Sequence, residues 1–245
     1  MNRIQKTFDR CRKEGKAAYV AYLTMGAPTL EKSFAAAETL VAEGVDILEL
    51  GVPFSDPVAD GTVIRQAANV ALKNGVTLVD VLVKVPAFRR RHPDIPIVIF
   101  TYYNVIFSYG LKRFAEEAAH CGVDAVLVVD LPLEERKELL DVLRPAGLTL
   151  VPLIAPTTGP ERVRASAAGL EDSFLYVVTV KGTTGQRAAL PPELVERLRT
   201  VRSLVDIPAV AGFGIRTPEE GAQIARDCNG FVIGSALVER FMTSI

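Results

Sequence analysis

Glu49, Asp56 and Asp60 fall within one short stretch, Leu48-Glu49-Leu50-Gly51-Val52-Pro53-Phe54-Ser55-Asp56-Pro57-Val58-Ala59-Asp60-Gly61. An apolar run that reads as a strand carries a carboxylate at its end. It then passes straight into a Pro- and Gly-shaped loop bearing two more acids. An unpaired ionised carboxylate is costly to remove from water, so acids are scarce on buried strands. A loop that brings a second carboxylate to face the first across a small molecule has what proton transfer requires. The same residues also fit a structural reading, in which Glu49 pairs with a Lys or Arg and the loop aspartates cap turns.

The elements that must position these acids are written in the apolar pattern. Strand-like runs occur at Ala18–Leu23, Asp46–Val52, Ile97–Tyr103, Ala125–Asp130, Thr149–Ile154, Phe174–Thr179, Ala209–Ala211 and Gly230–Gly234. Helix-period segments separate them at Leu30–Glu43, Leu78–Arg91, Leu111–Cys121, Leu133–Arg144, Pro160–Ala168, Pro192–Val201 and Pro218–Arg226. Near-continuous apolar strands alternating with helices imply parallel strands joined by crossovers, with both sheet faces covered. Thr217-Pro218-Glu219-Glu220 reads as a helix start, and Cys121-Gly122 and Ala146-Gly147 read as helix stops. The expected architecture is a single (β/α)8 TIM barrel over residues 1–245, with an extra N-terminal helix across its bottom. A doubly wound open sheet is the alternative.

Active sites of such barrels gather at the carboxyl ends of the strands, where Glu49 stands. The pattern predicts long functional loops over Gly51–Val76 and Val180–Pro191. Three glycine-bearing turns follow the sixth, seventh and eighth strands: Lys181-Gly182-Thr183-Thr184-Gly185, Gly212-Phe213-Gly214-Ile215 and Gly234-Ser235-Ala236-Leu237. Glycine lets backbone N–H groups approach an anion, and a helix N-terminus adds positive partial charge. Three such turns at one end of a barrel predict a phosphate site.

Composition narrows the remaining classes. The chain has 245 residues, 49% of them hydrophobic, and a net charge of −1. Neither a nucleic-acid footprint nor a membrane-surface patch is expected from that balance. No apolar run reaches membrane-spanning length, and Met1–Glu14 lacks the apolar region of a secretory signal. Cys11, Cys121 and Cys228 are too dispersed for a disulfide or zinc framework, so a reducing cytoplasm is the expected setting. His92 and His120 are the only histidines and neither falls at a strand's carboxyl end, which argues against a metal site and against a Ser–His nucleophile. No P-loop or Gly-x-Gly-x-x-Gly fingerprint follows the first strand. Arg89-Arg90-Arg91-His92 reads as a solvated helix end.

Along nearly its whole length the sequence resembles the tryptophan synthase α-subunit family. The most specific mark is Pro53-Phe54-Ser55-Asp56-Pro57-x-Ala59-Asp60-Gly61 after Glu49. Supporting marks are Thr101-Tyr102-Tyr103-Asn104, Asp130-Leu131-Pro132, Pro156-Thr157-Thr158, Thr184-Gly185, Gly212-Phe213-Gly214-Ile215 and Gly234-Ser235. The resemblance implies retro-aldol cleavage of indole-3-glycerol phosphate to indole and glyceraldehyde 3-phosphate, with no cofactor in this chain. Glu49 would serve the proton transfers at indole C3 and at the substrate hydroxyl. Asp60 would take the indole N–H and steady the positive charge that develops in the ring. Tyr176 would lie near the catalytic glutamate, and Tyr22, Ile64 and Phe213 would pack the indole. Thr184 would belong to a mobile sixth loop, and Gly185, Gly214, Gly234 and Ser235 would hold the phosphate. Asp56, Pro57, Asn104 and Pro132 would face a β subunit in an α2β2 complex, whose own pyridoxal phosphate performs a second step on channelled indole.

Some positions depart from the family's usual residues. Ala27 replaces Asp, Thr62 replaces Pro, Arg65 replaces Gln and Val70 replaces Arg, while Thr183 stands where Val is commoner. Most of these lie on the first two strand-to-helix loops, which carry Asp60 and the partner-facing surface. Two other readings follow from the same resemblance: a free-standing lyase that releases indole, and a weakly active phosphate-binding barrel that activates a β subunit.

Overall fold

The computed structural model describes residues 2–178, 192–212, 214–223 and 226–243. The apolar runs form β1 (Ala18–Thr24), β2 (Ile47–Gly51), β3 (Ile97–Thr101), β4 (Ala125–Val128), β5 (Thr149–Leu150), β6 (Leu153–Ile154), β7 (Leu175–Val178), β8 (Ala209–Gly212) and β9 (Gly230–Ile233). Their order is β5-β4-β3-β2-β1-β9-β8-β7-β6, and every pair is parallel. The two ends of that order are successive pieces of one extended segment. On one side the Val151 N–H donates to the Val126 carbonyl, and on the other the Pro152 carbonyl accepts from the Tyr176 N–H, both at 2.8 Å. That segment closes the sheet on itself, so the fold is an eight-stranded barrel rather than an open sheet. Pro152 has no N–H for a ladder, and there the strand expected over 149–154 divides in two.

The helices are α1 (Arg3–Lys13), α2 (Leu30–Ala42), α3 (Thr62–Lys73), α4 (Leu78–Arg91), α5 (Tyr103–Tyr109), α6 (Leu111–Cys121), α7 (Arg136–Leu143), α8 (Pro160–Ala167), α9 (Pro192–Leu204), α10 (Pro218–Gln223) and α11 (Ser235–Thr243). α1 starts at a reciprocal cap between Asn2 and Gln5 and turns Ile4, Phe8 and Cys11 into the protein. The Phe8 ring sits 5.7 Å from Phe174 inside the barrel, so α1 plugs the bottom as expected. One apolar cluster fills the barrel through residues such as Val20, Ile47, Val98, Leu127 and Val210. A second lies between the strands and the helices.

Three expectations need correction. The stretch from Gly51 to Val76 is not all loop, because α3 occupies most of it. Ile64, Ala67, Ala68 and Ala71 recur at helical spacing and face inward, but alanines give a weak apolar signal. α5 likewise forms in what reads as a strand-to-helix connection. The run Arg89–His92 is also not simply solvated. Arg89 is nearly enclosed, bonding the Gly122 carbonyl and the Asp124 carboxylate (2.7 Å each), and Arg91 and His92 both engage Glu38.

Asp124 also accepts from Arg3 (2.9 Å) and from the Ile97 N–H (2.8 Å). Asp46 is held in the same way by Arg10 (2.6 Å), Lys16 (3.2 Å) and the Tyr19 N–H (3.0 Å). These two buried carboxylates at the bottom are therefore paired and serve stability, as expected for that end of a barrel. Among the described residues no helix is long and apolar enough to cross a membrane.

Candidate active site

Parallel register sets Glu49 of β2 opposite Tyr22 of β1 and Val98 of β3, whose side chains belong to the barrel-filling cluster. The Glu49 side chain therefore points inward, near the carboxyl end of its strand. It is fully buried, and neither carboxylate oxygen has a hydrogen-bond partner among the described residues. Among the described residues no Lys or Arg pairs with it, as the structural reading would require. Burial alone pushes the carboxyl up to about 8, so at neutral pH Glu49 is mainly the neutral acid.

Two tyrosines flank it. The Tyr22 ring lies edge-on to Phe100, with centroids 5.0 Å apart, and its hydroxyl accepts from Thr24 Oγ1 at 3.4 Å. Tyr176 is half-buried. Burial raises both phenols, and the Glu49 and Asp60 carboxylates raise them further, so both stay protonated as hydrogen-bond donors. Two glycines make room for these rings. A Cβ on Gly51 would sit 2.3 Å from the Tyr22 hydroxyl, and one on Gly212 would sit 2.2 Å from Tyr176 Cε1. No side chain fits at either strand end while the ring stays in place.

Asp60 approaches from the loop after β2, immediately before Gly61 caps α3. The loop is fastened by Tyr102, which stacks on Phe54 (5.0 Å, 25°) and whose hydroxyl accepts the Ala59 N–H at 3.1 Å. Burial raises the half-buried Asp60 carboxyl above its ordinary value, and the Tyr102 hydroxyl and the positive charge of Arg65 offset that only in part. The two acids thus sit in unlike surroundings, Glu49 in an apolar wall and Asp60 beside a hydroxyl and a cation. Unlike surroundings are what separate a proton donor from a standing anion. Asp56 does take the bland role, exposed at a turn and bonded by its neighbour Ser55.

Ile64 projects from α3, half-buried against the barrel-filling cluster. Phe100, Val129 and Leu153 complete a partly open apolar rim suited to a flat aromatic ring. Phe100 has no place among the residues picked out by sequence, and Tyr102 appears there only within a family motif, with no role in the site. Phe100 was readable by alternation once Val98 faces inward, whereas Tyr102 matters through a long-range contact that sequence does not display. Thr184, Gly185 and Phe213 lie outside the described residues.

Of the phosphate set, Gly214 and Ser235 are exposed and Gly234 is half-buried at the mouth. Ser235 opens α11, and the Leu237 and Val238 N–H groups both return to the Gly234 carbonyl (2.9 and 3.0 Å). The Ser235 and Ala236 N–H groups precede those bonds and, like the first donors of any helix, have no intrahelical acceptor. Such a helix start takes an anion. A cavity of about 590 Å³ lies at the opposite end of the barrel, lined by Arg3, Asp94 and Asp124, and one of about 220 Å³ lies between α7 and α8. Neither is lined by an unpaired buried acid, in contrast to the barrel interior around Glu49.

On the same end, Asn104 and Pro132 are exposed and Pro57 is half-buried. Beside them Val58 is 86% and Phe107 60% exposed. The start of α5, which carries Asn104 and Phe107, is tied to the loop that carries Pro132, since the Tyr103 N–H donates to Asp130 Oδ1 at 2.7 Å.

The family description "Tryptophan synthase alpha chain" matches residues 8–244. A tryptophan synthase alpha chain of Citrifermentans bemidjiense is 44% identical over 241 residues, 98% of this chain and 90% of its own. That of Chloroflexus aggregans is 42% identical over 240 residues, with the same coverage. Among solved structures, tryptophan synthase subunit alpha from Legionella pneumophila superposes with a TM-score of 0.88 at 36% identity, covering 98% of this chain and 88% of that one. A chain of tryptophan synthase from M. tuberculosis, in an open form with BRD0059 bound, gives 0.88 at 34% identity, covering 98% and 91%.

Proposed function

The chain belongs to the tryptophan synthase alpha chain family, and we propose that its barrel mouth cleaves indole-3-glycerol phosphate to indole and glyceraldehyde 3-phosphate. The observation that carries this reading is a buried Glu49 with no partner among the described residues, together with an Asp60 on the loop that Tyr102 fastens. It makes the protein a lyase of tryptophan biosynthesis.

Indole would lie against Tyr22, Phe100 and Ile64, with its phosphate at the start of α11 and the turn of Gly214. Protonated Glu49 gives its proton to indole C3, which leaves the ring as a cation. Asp60, as the carboxylate, faces the ring N–H and takes up its proton as positive charge develops. Glu49, now ionised, removes the proton from the hydroxyl next to the scissile bond. The C–C bond electrons return to the ring, the aldehyde forms, and Asp60 hands back the N–H proton. The proton count closes with both acids in their starting states. Buried Tyr22 and half-buried Tyr176 help to exclude water from the Glu49 carboxyl. Thr184 and Gly185 are assigned to loop closure and phosphate contact by the family resemblance, and Phe213 to the indole wall.

A β-subunit partner fits the exposed apolar side chains Val58 and Phe107 beside Asp56, Pro57, Asn104 and Pro132. An α2β2 assembly in the cytoplasm would place this face against the partner and pass indole to it. The test is indole release by the purified chain, with and without a tryptophan synthase β subunit. Weak release alone and large stimulation by β are expected. Full activity alone would make the protein a free-standing lyase. Phosphate-ligand binding without turnover in either condition would leave a regulatory barrel.

A further inference from the structure

We propose that Tyr102 is a positioning residue for Asp60: its ring and its hydroxyl grip the loop after β2 and so set where the carboxylate stands in the barrel mouth. The inference rests on the reading of Asp60 as a catalytic carboxylate and names the side chain that aims it.

The loop has little else to hold it. Val52 still belongs to the sheet, its N–H bonded to the Phe100 carbonyl at 2.9 Å, and Gly61 already caps α3. Between them Pro53 and Pro57 bring no N–H. The Val58 N–H returns to the Asp56 carbonyl (2.8 Å), the Asp60 N–H to the Pro57 carbonyl (3.1 Å) and the Ser55 hydroxyl to Asp56, so these bonds stay inside the loop. Among the described residues, the backbone hydrogen bond that leaves residues 53–60 runs from the Ala59 N–H to the Tyr102 hydroxyl at 3.1 Å. It sits one peptide before Asp60. At the other end of the loop the Phe54 ring stacks on the same tyrosine, with centroids 5.0 Å apart. One side chain therefore grips the loop near both ends.

Tyr102 is a firm post for that grip. Its backbone follows Thr101, which ends β3 and pairs with Val128 of β4. It then caps α5, where the Val105 N–H returns to the Tyr102 carbonyl at 3.1 Å. Tyr102 is 3% exposed, whereas Ala59 lies on the surface. Removing the hydroxyl leaves the ring free to stay on Phe54 and lets the Ala59 N–H bond water instead. The cost then falls on where the loop stands, not on whether the protein folds. Stabilising charge as it forms in the indole ring depends on the placement of the carboxylate, and small displacements are expensive.

The test uses Tyr102→Phe, which removes the hydroxyl alone. Amide hydrogen exchange, followed by NMR on the full chain, should show the Ala59 N–H exchanging about fivefold faster, the worth of one hydrogen bond, with the β2 and β3 amides unchanged. In indole release with saturating β subunit, kcat should fall about tenfold while KM stays within about twofold, since the indole wall and the start of α11 are untouched. The same substitution is then made in Asp60→Asn and read in single turnover at high enzyme concentration. There it should change the rate by less than about twofold, because a group that acts through the Asp60 carboxylate has nothing left to aim. A merely structural role would lower the rate equally in both backgrounds, and that result would overturn the proposal. So would an Ala59 exchange rate equal to that of the wild type. If the wild-type chain released no indole, the reaction would be at fault, and the exchange of Ala59 would still decide whether Tyr102 holds the loop.

Discussion

Replacing Glu49 by Gln should stabilise the folded protein increasingly as pH rises, even as it abolishes the acid. The carboxyl has an ordinary value of 4.5, which burial pushes to about 8 in the fold, with no hydrogen bond to offset it. Between those values the unfolded chain has released a proton that the folded chain keeps. The folded state then binds more protons, so its stability falls with rising pH at about 1.4 kcal/mol per unit. From pH 5 to pH 7 the loss is about 3 kcal/mol, and it levels off above pH 8. A glutamine of the same shape carries no such dependence. Other titrating groups are common to both proteins and cancel in the difference. Urea unfolding of wild type and Glu49→Gln at pH 5, 6, 7 and 8 measures it. The two should be nearly equal at pH 5, with the variant ahead by about 3 kcal/mol at pH 7. A difference that stays flat across the series would refute the claim that Glu49 is buried, unpaired and neutral.

Three further perturbations probe other parts of the account. Gly51→Ala places a Cβ where the Tyr22 hydroxyl lies, 2.3 Å away, so the ring must move; it should lower stability by about 1–3 kcal/mol and kcat/KM about tenfold or more, read by unfolding and indole release. Ser235→Asp puts a carboxylate at the start of α11, which suits the helix but repels a phosphate; KM should rise about tenfold with kcat little changed and stability held, in steady-state kinetics. Asp124→Ala strands the enclosed Arg89 and the Ile97 N–H at the bottom of the barrel. Thermal or urea unfolding should show a loss of about 3 kcal/mol, while the folded enzyme keeps its turnover at low temperature.

Much of this architecture is legible in the sequence because parallel strands covered on both faces read as plain apolar runs. Glu49 stands out for the same reason, as an acid where the pattern has no place for one. Asp60 needed the loop and the family's motif, since an aspartate before a glycine is commonplace. What stayed hidden depends on packing. α3 was obscured because its inner face is mostly alanine. Arg89 looked like one of three solvated arginines, and nothing local tells that it alone turns inward to Asp124. Tyr102 became important through its contacts with Phe54 and Ala59, which lie far from it in the chain. Pro152, a residue without an N–H, carries a signal that the reading of 149–154 as one strand passed over: the ladder changes partners there.

The most direct measurement of the central claim is single-turnover release of indole from indole-3-glycerol phosphate by wild type and Glu49→Gln, each with saturating β subunit, beside the affinity of both for glycerol 3-phosphate. The account predicts a loss of about 10²–10⁴ in rate for the variant with phosphate-ligand affinity unchanged. A variant within tenfold of the wild-type rate would contradict it, and the proton transferred to indole C3 would have to come from another group.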